Sequence, residues 1–407
     1  MNMFVKHLLA MSVLSTMSTT LYANTIDTKP CAKTTTPAPV ILDTQKTLSF
    51  WDFPNLEKAY LESTPSKRKD GIEVGQLGID GGDRAHIITL AKEIANQKHS
   101  DIDSLLIAHK DKLIFESYYL RGRVDLPHPQ ASATKSYVSM ALGRAIELGY
   151  LSMADLNKPI IHFLQQLDTS KMVKGADKIT LHKALNMRSG IRLTRAQQDE
   201  LAKQSEQMKG QAQVQTYLQH SPAISAQSQS FNYQNLDPKL VMQVLDAVVP
   251  GGAKAFIKTE LLDKLGIEVY QWEDDVSGLP MAPYHSQMTS RNMLKWGQLV
   301  KNEGKWQGEQ LISKEFMSKA TQSHSTLGQD DIFFTGEHII NPGYGYYFWQ
   351  ADMQVGDKRY ATTSAQGGGG QYIIIVNELD LIIVFTASTR EERIMELTAQ
   401  RILPAFI

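Results

Sequence analysis

The stretch Ala131-Ser132-Ala133-Thr134-Lys135-Ser136-Tyr137 most constrains this chain, because it opens a long apolar run from Tyr137 to Leu151 that reads as a buried helix. Ser132 and Lys135 are three residues apart, so a helix beginning here stacks both side chains on one face. A serine hydroxyl is a poor nucleophile until a neighbouring base takes its proton. A buried lysine can be that base, because desolvation disfavours its ammonium form. The helix N-terminus adds N–H groups and a positive dipole end, which favour negative charge developing near Ser132. On the spacing alone, the pattern is short and both residues are common, so it reads first as a serine cap with a surface lysine one turn on.

A chain of 407 residues fits two closely packed lobes or one large unit. Its 42 Lys+Arg nearly balance 43 Asp+Glu, so nothing in the charge points to nucleic acid or an acidic lipid surface. Residues 1–23 have the order of a cleavable secretory signal: Lys6 and His7, an apolar run from Leu8 to about Leu14, then Leu21-Tyr22-Ala23. That run is too short and too rich in Ser and Thr to span a bilayer, and no other stretch is long enough, so an exported, periplasmic or secreted protein without a stable span is expected. Residues 24–48, rich in Thr, Pro and Lys, read as a flexible leader. Cys31 is the single cysteine, which rules out an intrachain disulfide and any Cys-based metal site.

Globular composition begins around Ser49-Phe50-Trp51, and residues 84–97 have a helical apolar period. Ser104–Ala108 and Leu113–Tyr119 read as a hairpin across His109–Lys112. Further helical runs are expected at Leu156–Leu167 (broken by Pro159), Ile179–Asn186, Leu240–Val248, Ala253–Leu265, Met288–Glu303 and Glu391–Leu403. Residues 193–230 read as a surface insertion or a lid. Gly345–Gln350 reads as an aromatic strand, and Gln371–Val376 and Leu381–Thr386 as a strand pair about Asn377–Asp380. Strands at both chain ends with helices between imply one antiparallel sheet built from both ends, covered on both faces, with an inserted helical lobe. The expected division is an α/β lobe of 49–125 plus 340–407 and a helical lobe of 126–339.

Two more stretches could converge with Ser132 on a cleft. In Phe231-Asn232-Tyr233-Gln234-Asn235, Tyr233 could relay a proton, and Asn235 could bind a substrate carbonyl or hold Lys135 in place. In Ala365-Gln366-Gly367-Gly368-Gly369-Gly370-Gln371 the glycines let a backbone come close to a ligand. Ser-x-x-Lys, Tyr-x-Asn about a hundred residues on, and a Gly-containing strand edge near the C-terminus together resemble the serine β-lactamase and penicillin-binding superfamily. Within it the chain is most similar to class C-like serine hydrolases, including family VIII esterases and 6-aminohexanoate-dimer hydrolases. The hairpin 104–119, the Leu-x-Met-x-Ser-Gly segment at 185–190, Tyr344–Trp349 and Gly367–Phe385 extend the resemblance from about residue 85 to the end.

The resemblance implies a β-lactamase-like α/β fold and hydrolysis of a small-molecule ester or amide through an acyl-enzyme, with no cofactor. It implies Ser132 as nucleophile, Lys135 as general base, Tyr233 as proton shuttle and Asn235 beside it. The oxyanion hole would be the backbone N–H groups of Ser132 and Gly368, the position after Gly367. Histidine has no part in this scheme, and the histidines lack metal-ligand spacing. Two departures bear on substrate. Ala365-Gln366-Gly367 stands where β-lactamases carry Lys-Thr-Gly, removing the cation that meets a β-lactam carboxylate; Arg188 or Arg192 could replace it. Ser228-Gln229-Ser230 stands where a glycine usually precedes Tyr-x-Asn. A fold kept as a slow-deacylating or non-catalytic peptide- or penicillin-binding module is the alternative from another class.

Overall fold

Strands from both ends of the chain pair because each end supplies apolar runs that neither can bury alone. The computed structural model describes residues 37–328, 331–332, 336–389 and 393–407. The signal-peptide segment, Cys31 and the start of the expected C-terminal helix at Glu391 lie outside them.

The strands are β1 (Tyr60–Glu62), β2 (Glu73–Val74), β3 (Ile102–His109), β4 (Lys112–Tyr118), β5 (His128–Pro129), β6 (Tyr270–Trp272), β7 (Ser286–Met288), β8 (Lys305–Trp306) and β9 (Glu309–Gln310), followed by β10 (Ser325–Thr326), β11 (Ile339–Tyr344), β12 (Trp349–Val355), β13 (Lys358–Gly367), β14 (Gln371–Val376) and β15 (Leu381–Ala387). The large sheet runs β1-β4-β3-β15-β14-β13-β12-β11-β10, antiparallel along this path, with β2 added parallel to β4. Its seam is β3 against β15, where Ile107 faces Ile383 and Leu105 faces Phe385. β14 and β15 are buried along their whole length, as continuous apolar runs require when both faces are covered.

The helices are α1 (Arg84–Ala95), α2 (Thr134–Glu147), α3 (Leu181–Leu185), α4 (Arg195–Ala202), α5 (Ala212–His220), α6 (Leu236–Val248), α7 (Gly252–Ile257), α8 (Ser290–Lys301), α9 (Lys314–Thr321) and α10 (Ile394–Leu397). α8 falls within the stretch read as helical lobe, yet it packs on the large sheet. A Cβ on its Gly297 would come 2.8 Å from a methyl of Ile382 and 2.9 Å from one of Ile373. Ser290 Oγ also meets Ser104 Oγ at 2.6 Å. A second, small sheet has the order β5-β7-β6. Among the described residues no single helix is long and apolar enough to cross a membrane.

Three readings need correction or refinement. The aromatic segment at 345–350 is not one strand: Gly345–Phe348 is a tight reversal between β11 and β12, with Tyr347 at φ 64° and its N–H bonded to the Gly345 carbonyl at 2.9 Å. Its rings satisfy the apolar pattern by turning inward, Tyr346, Tyr347 and Phe348 all being buried. Leu156–Leu167 forms no α-helix; Met153–Asn157 and Ile160–His162 are separate 3-10 turns on either side of Pro159, which lacks the N–H a helix needs. Within 24–48, residues 37–42 run along the body: Val124 N–H donates to the Pro39 carbonyl at 3.0 Å and Ile41 N–H to Asp125 at 2.9 Å.

A buried ion pair fastens α8 to the hairpin. Arg291 donates through Nε and Nη2 to the two oxygens of Glu116, at 2.8 and 2.7 Å, and through Nη1 to Asp70 at 2.8 Å. Tyr118 adds its hydroxyl to Glu116 at 2.7 Å. Removing one partner strands the other charge in the core, so Arg291→Ala is expected to lower stability by about 3–5 kcal/mol, read as a fall in the urea midpoint.

Candidate active site

α2 begins in a strained turn. Gln130 is helical, Ala131 has φ 44°, and a 3-10 turn over Ala131–Ala133 leads into the helix. The turn is held from several sides. Gln130 N–H donates to the Ser286 carbonyl at 2.8 Å, its side-chain amide to the His128 carbonyl at 2.8 Å, and it accepts from Tyr137 at 2.8 Å. Thr134 Oγ1 donates to the Ala131 carbonyl and meets Ser286 Oγ at 2.7 Å. Left-handed backbone at a non-glycine residue persists only when its surroundings fix it, and these bonds do so.

One turn into the helix, Lys135 is only 1% exposed. Its Nζ donates to Ser132 Oγ at 2.9 Å and to the Pro283 carbonyl at 2.9 Å, and lies 5.0 Å from the centre of the Tyr233 ring. Burial lowers its pKa from 10.5 to about 7. A lysine poised there can hold or release a proton near neutrality.

Tyr233 packs its ring against Trp349 and Tyr344, at 5.2 and 6.1 Å between centroids. Its loop is pinned by Asp237 at the start of α6, which accepts from Ser189 N–H (3.1 Å), Ser189 Oγ (2.6 Å) and the Gln234 amide (2.6 Å). Burial raises Asp237 to about 6 despite these donors. The Leu-x-Met-x-Ser-Gly segment is thereby bonded to Tyr-x-Asn.

The glycine run is the end of β13 and a turn into β14, Gly367 pairing with Gln371, and Gly369 and Gly370 having φ of 94° and 100°. A Cβ at Gly367 would sit 2.1 Å from the Gln130 carbonyl oxygen and 3.1 Å from Ala133 N, so only glycine lets the strand edge approach the Ser132 turn. Ser132, Asn235, Gly368, Tyr284 and Glu273 line a common cleft of about 630 Å³. Ser132, Lys135 and Tyr233 are brought together, and Ser132, Asn235 and Gly368 share the cleft wall. The position of Lys135 is fixed by Pro283 rather than by Asn235.

Several parts of the site were invisible in the sequence. Pro283 acts through its carbonyl, which no side-chain pattern marks. His128 lines the cleft and bonds through Nε2 to Asp103 at 3.0 Å, where Ser388 Oγ also donates at 2.8 Å, tying the Ser132 turn to the end of β15. His128 is four residues from Ser132, but its partners are distant in sequence. Arg188 and Arg192 do not supply a cleft cation; they donate to the carbonyls of Gln229, Ile191 and Ser230. The Gln366 amide donates to Ser364 Oγ at 2.8 Å. Residues 193–230 contribute none of the described cleft lining, which comes from Trp51, Asn235 and the stretches around 130, 273, 284–287, 368–371 and 387–389. Among the described residues no group of three or more His, Cys, Asp or Glu is gathered as a metal ion would require.

A family model described as Beta-lactamase matches residues 89–405. No curated protein matches the sequence significantly. Among solved structures, a family VIII carboxylesterase is similar at TM-score 0.61 and 11% identity, covering 82% of this chain and 98% of that one. A class C β-lactamase is similar at TM-score 0.58 and 14% identity, covering 80% and 96%. A protein from Bacillus anthracis assigned as a 6-aminohexanoate-dimer hydrolase is similar at TM-score 0.53 and 14% identity, covering 83% and 84%. At these identities the likeness is one of fold.

The lysine carries a stability consequence. Its folded pKa, about 7, lies below the roughly 10.4 of an unfolded lysine, so between those values the unfolded chain binds the extra proton and stability rises with pH. Below pH 7 the native state must bury the charge. Lys135→Met is therefore expected to be more stable than wild type at pH 6, by up to roughly 4 kcal/mol, with the gap closing towards pH 10. Chemical denaturation of both proteins across that range measures it.

Proposed function

The chain belongs to the β-lactamase family of serine hydrolases, and from that premise we propose that it is an exported esterase or amidase working through an acyl-enzyme on Ser132. The observation that carries the reading is the 2.9 Å contact between Ser132 Oγ and a buried Lys135 whose pKa falls to about 7. Neutral Lys135 takes the hydroxyl proton as Ser132 attacks the substrate carbonyl. The oxyanion is met by the backbone N–H groups of Ser132 and Gly368, each donor lowering the barrier by about 3 kcal/mol. Lys135 and Tyr233 return the proton to the leaving group, then activate water on the opposite course to release the acid. Asn235 orients the substrate carbonyl from the cleft wall. The amino-terminal signal, cleaved after Ala23, sends the protein to the periplasm or the medium.

The substrate is an ester or amide that carries no carboxylate, rather than a penicillin or cephalosporin. Gln366 offers a neutral amide already engaged with Ser364, and the two candidate arginines are committed elsewhere. A missing charge-assisted hydrogen bond costs roughly 1.5–3 kcal/mol, about ten- to a hundredfold in kcat/KM.

Ser132→Ala is expected to abolish turnover and fluorophosphonate labelling with the fold retained. Substantial residual activity would remove the acyl-enzyme, and stable labelling of wild type without turnover would mark a binding module instead. A short-chain p-nitrophenyl ester is expected to exceed nitrocefin in kcat/KM by at least about tenfold in the same buffer. Equal values, or a preference for nitrocefin, would make the protein a β-lactamase.

A further inference from the structure

The cleft has an uneven charge. Among the described residues that line it there is no lysine or arginine, and Glu273 is the single carboxylate. Lys135 is buried and engaged with Ser132 and Pro283. Arg121 lies against the ring of Trp51, 5.9 Å from its centre. An anionic substrate entering here meets the Glu273 carboxylate and no lysine or arginine among the described lining residues.

Glu273 is built into the frame that sets Ser132. It follows β6, whose Trp272 pairs with Ser286, and its N–H reaches the His285 carbonyl at 3.3 Å. Its own carbonyl accepts from Met281 at 2.8 Å, and the Trp272 indole also donates to Met281, at 3.0 Å. Ser286 is the residue whose carbonyl receives Gln130 N–H and whose hydroxyl meets Thr134. The carboxylate and the nucleophile's turn are thus one short strand apart on a shared scaffold.

His285 Nδ1 meets one Glu273 oxygen, Oε2, at 2.9 Å, which orients the carboxylate and leaves Oε1 to a ligand. Tyr284, in edge contact with His285 at 4.6 Å, adds an aromatic ring to the same wall. A carboxylate and an aromatic ring lining one cleft suit an ammonium group, which gains from both the charge and the ring quadrupole.

We propose that the Glu273–Tyr284 wall is a subsite for a cationic, ammonium-bearing part of the substrate, so that the enzyme selects positively charged esters or amides over neutral ones and disfavours anionic ones. The inference rests on the acyl-enzyme reading above. Glu273 is 60% exposed, so solvent screening keeps the selectivity modest.

The test compares p-nitrophenyl 4-(trimethylammonio)butanoate with its neutral isostere p-nitrophenyl 5,5-dimethylhexanoate and with the p-nitrophenyl half-ester of adipic acid. Each is assayed at pH 8 and low salt with wild type, Glu273→Gln and Glu273→Lys. Wild type is expected to favour the cation over the neutral ester by about fivefold in kcat/KM, with the adipate half-ester lowest and the preference shrinking as salt is added. Glu273→Gln should bring the cationic-to-neutral ratio close to one, and Glu273→Lys should favour the adipate half-ester. Equal rates on the isosteres in wild type, or a ratio unmoved by Glu273→Gln, would remove the subsite alone. Turnover of none of the three would strike the acyl-enzyme reading and the subsite with it.

Discussion

A lysine side chain closed off from water, with no carboxylate among the described residues to pair it, is the constraint on which this site depends. Lys135 is 1% exposed, its hydrogen bonds go to a hydroxyl and a carbonyl, and its ammonium form is correspondingly disfavoured. A nearby Asp or Glu would have restored the charge and left a stabilising ion pair unable to accept a proton near neutrality. The surroundings instead supply the Pro283 carbonyl and the face of Tyr233, which orient the amine without forcing it to stay protonated. On the proposed reading, the folding energy spent on burying this amine is what makes Ser132 reactive. That is the usual relation between local destabilisation and catalysis.

The second constraint is a close approach of backbones. The end of β13 touches the turn before α2 so tightly that any side chain at Gly367 would overlap the Gln130 carbonyl. This contact brings a sheet edge from late in the chain against a helix start from early in it. The turn cannot retreat, because Ser286, Tyr137 and Thr134 hold it, and Asp103 ties His128 beside it to Ser388. The large sheet serves as the rigid body behind this arrangement, since its β3–β15 seam is continuous apolar packing.

The sequence made the local parts of this design legible and left the non-local parts hidden. The 104–119 hairpin and the last two strands were readable because apolar runs bounded by polar turns have few other uses. Ser132 and Lys135 were readable because helical geometry fixes how residues three apart meet. Tyr346–Phe348 misled, because buried aromatics suit a strand and an inward-turned reversal equally well. β13 was missed over Lys358–Ser364, whose small and polar residues carry no strong strand signal, although pairing with β12 and β14 makes it the longest strand of the sheet. In the cleft, Tyr233 was readable as a possible proton relay and the glycine run as a place of close backbone approach, while a role for the Gly368 N–H came only from the resemblance. Pro283, Asp103 and Ser388 escaped altogether, because a carbonyl oxygen and partners from 25 to 285 residues apart leave no pattern in a linear text.

The account stands or falls on the protonation of one amine, and the rate at which Ser132 is acylated as a function of pH reads it directly. With a fluorophosphonate in excess and the labelled residue located by mass spectrometry, the rate constant should rise with pH through a midpoint of about 7 and level off above it, tracking neutral Lys135. A rate independent of pH between 5 and 9, or one still climbing towards the 10.4 or so of an ordinary lysine, would contradict it, because the base would then be another group or the lysine would be charged at neutrality.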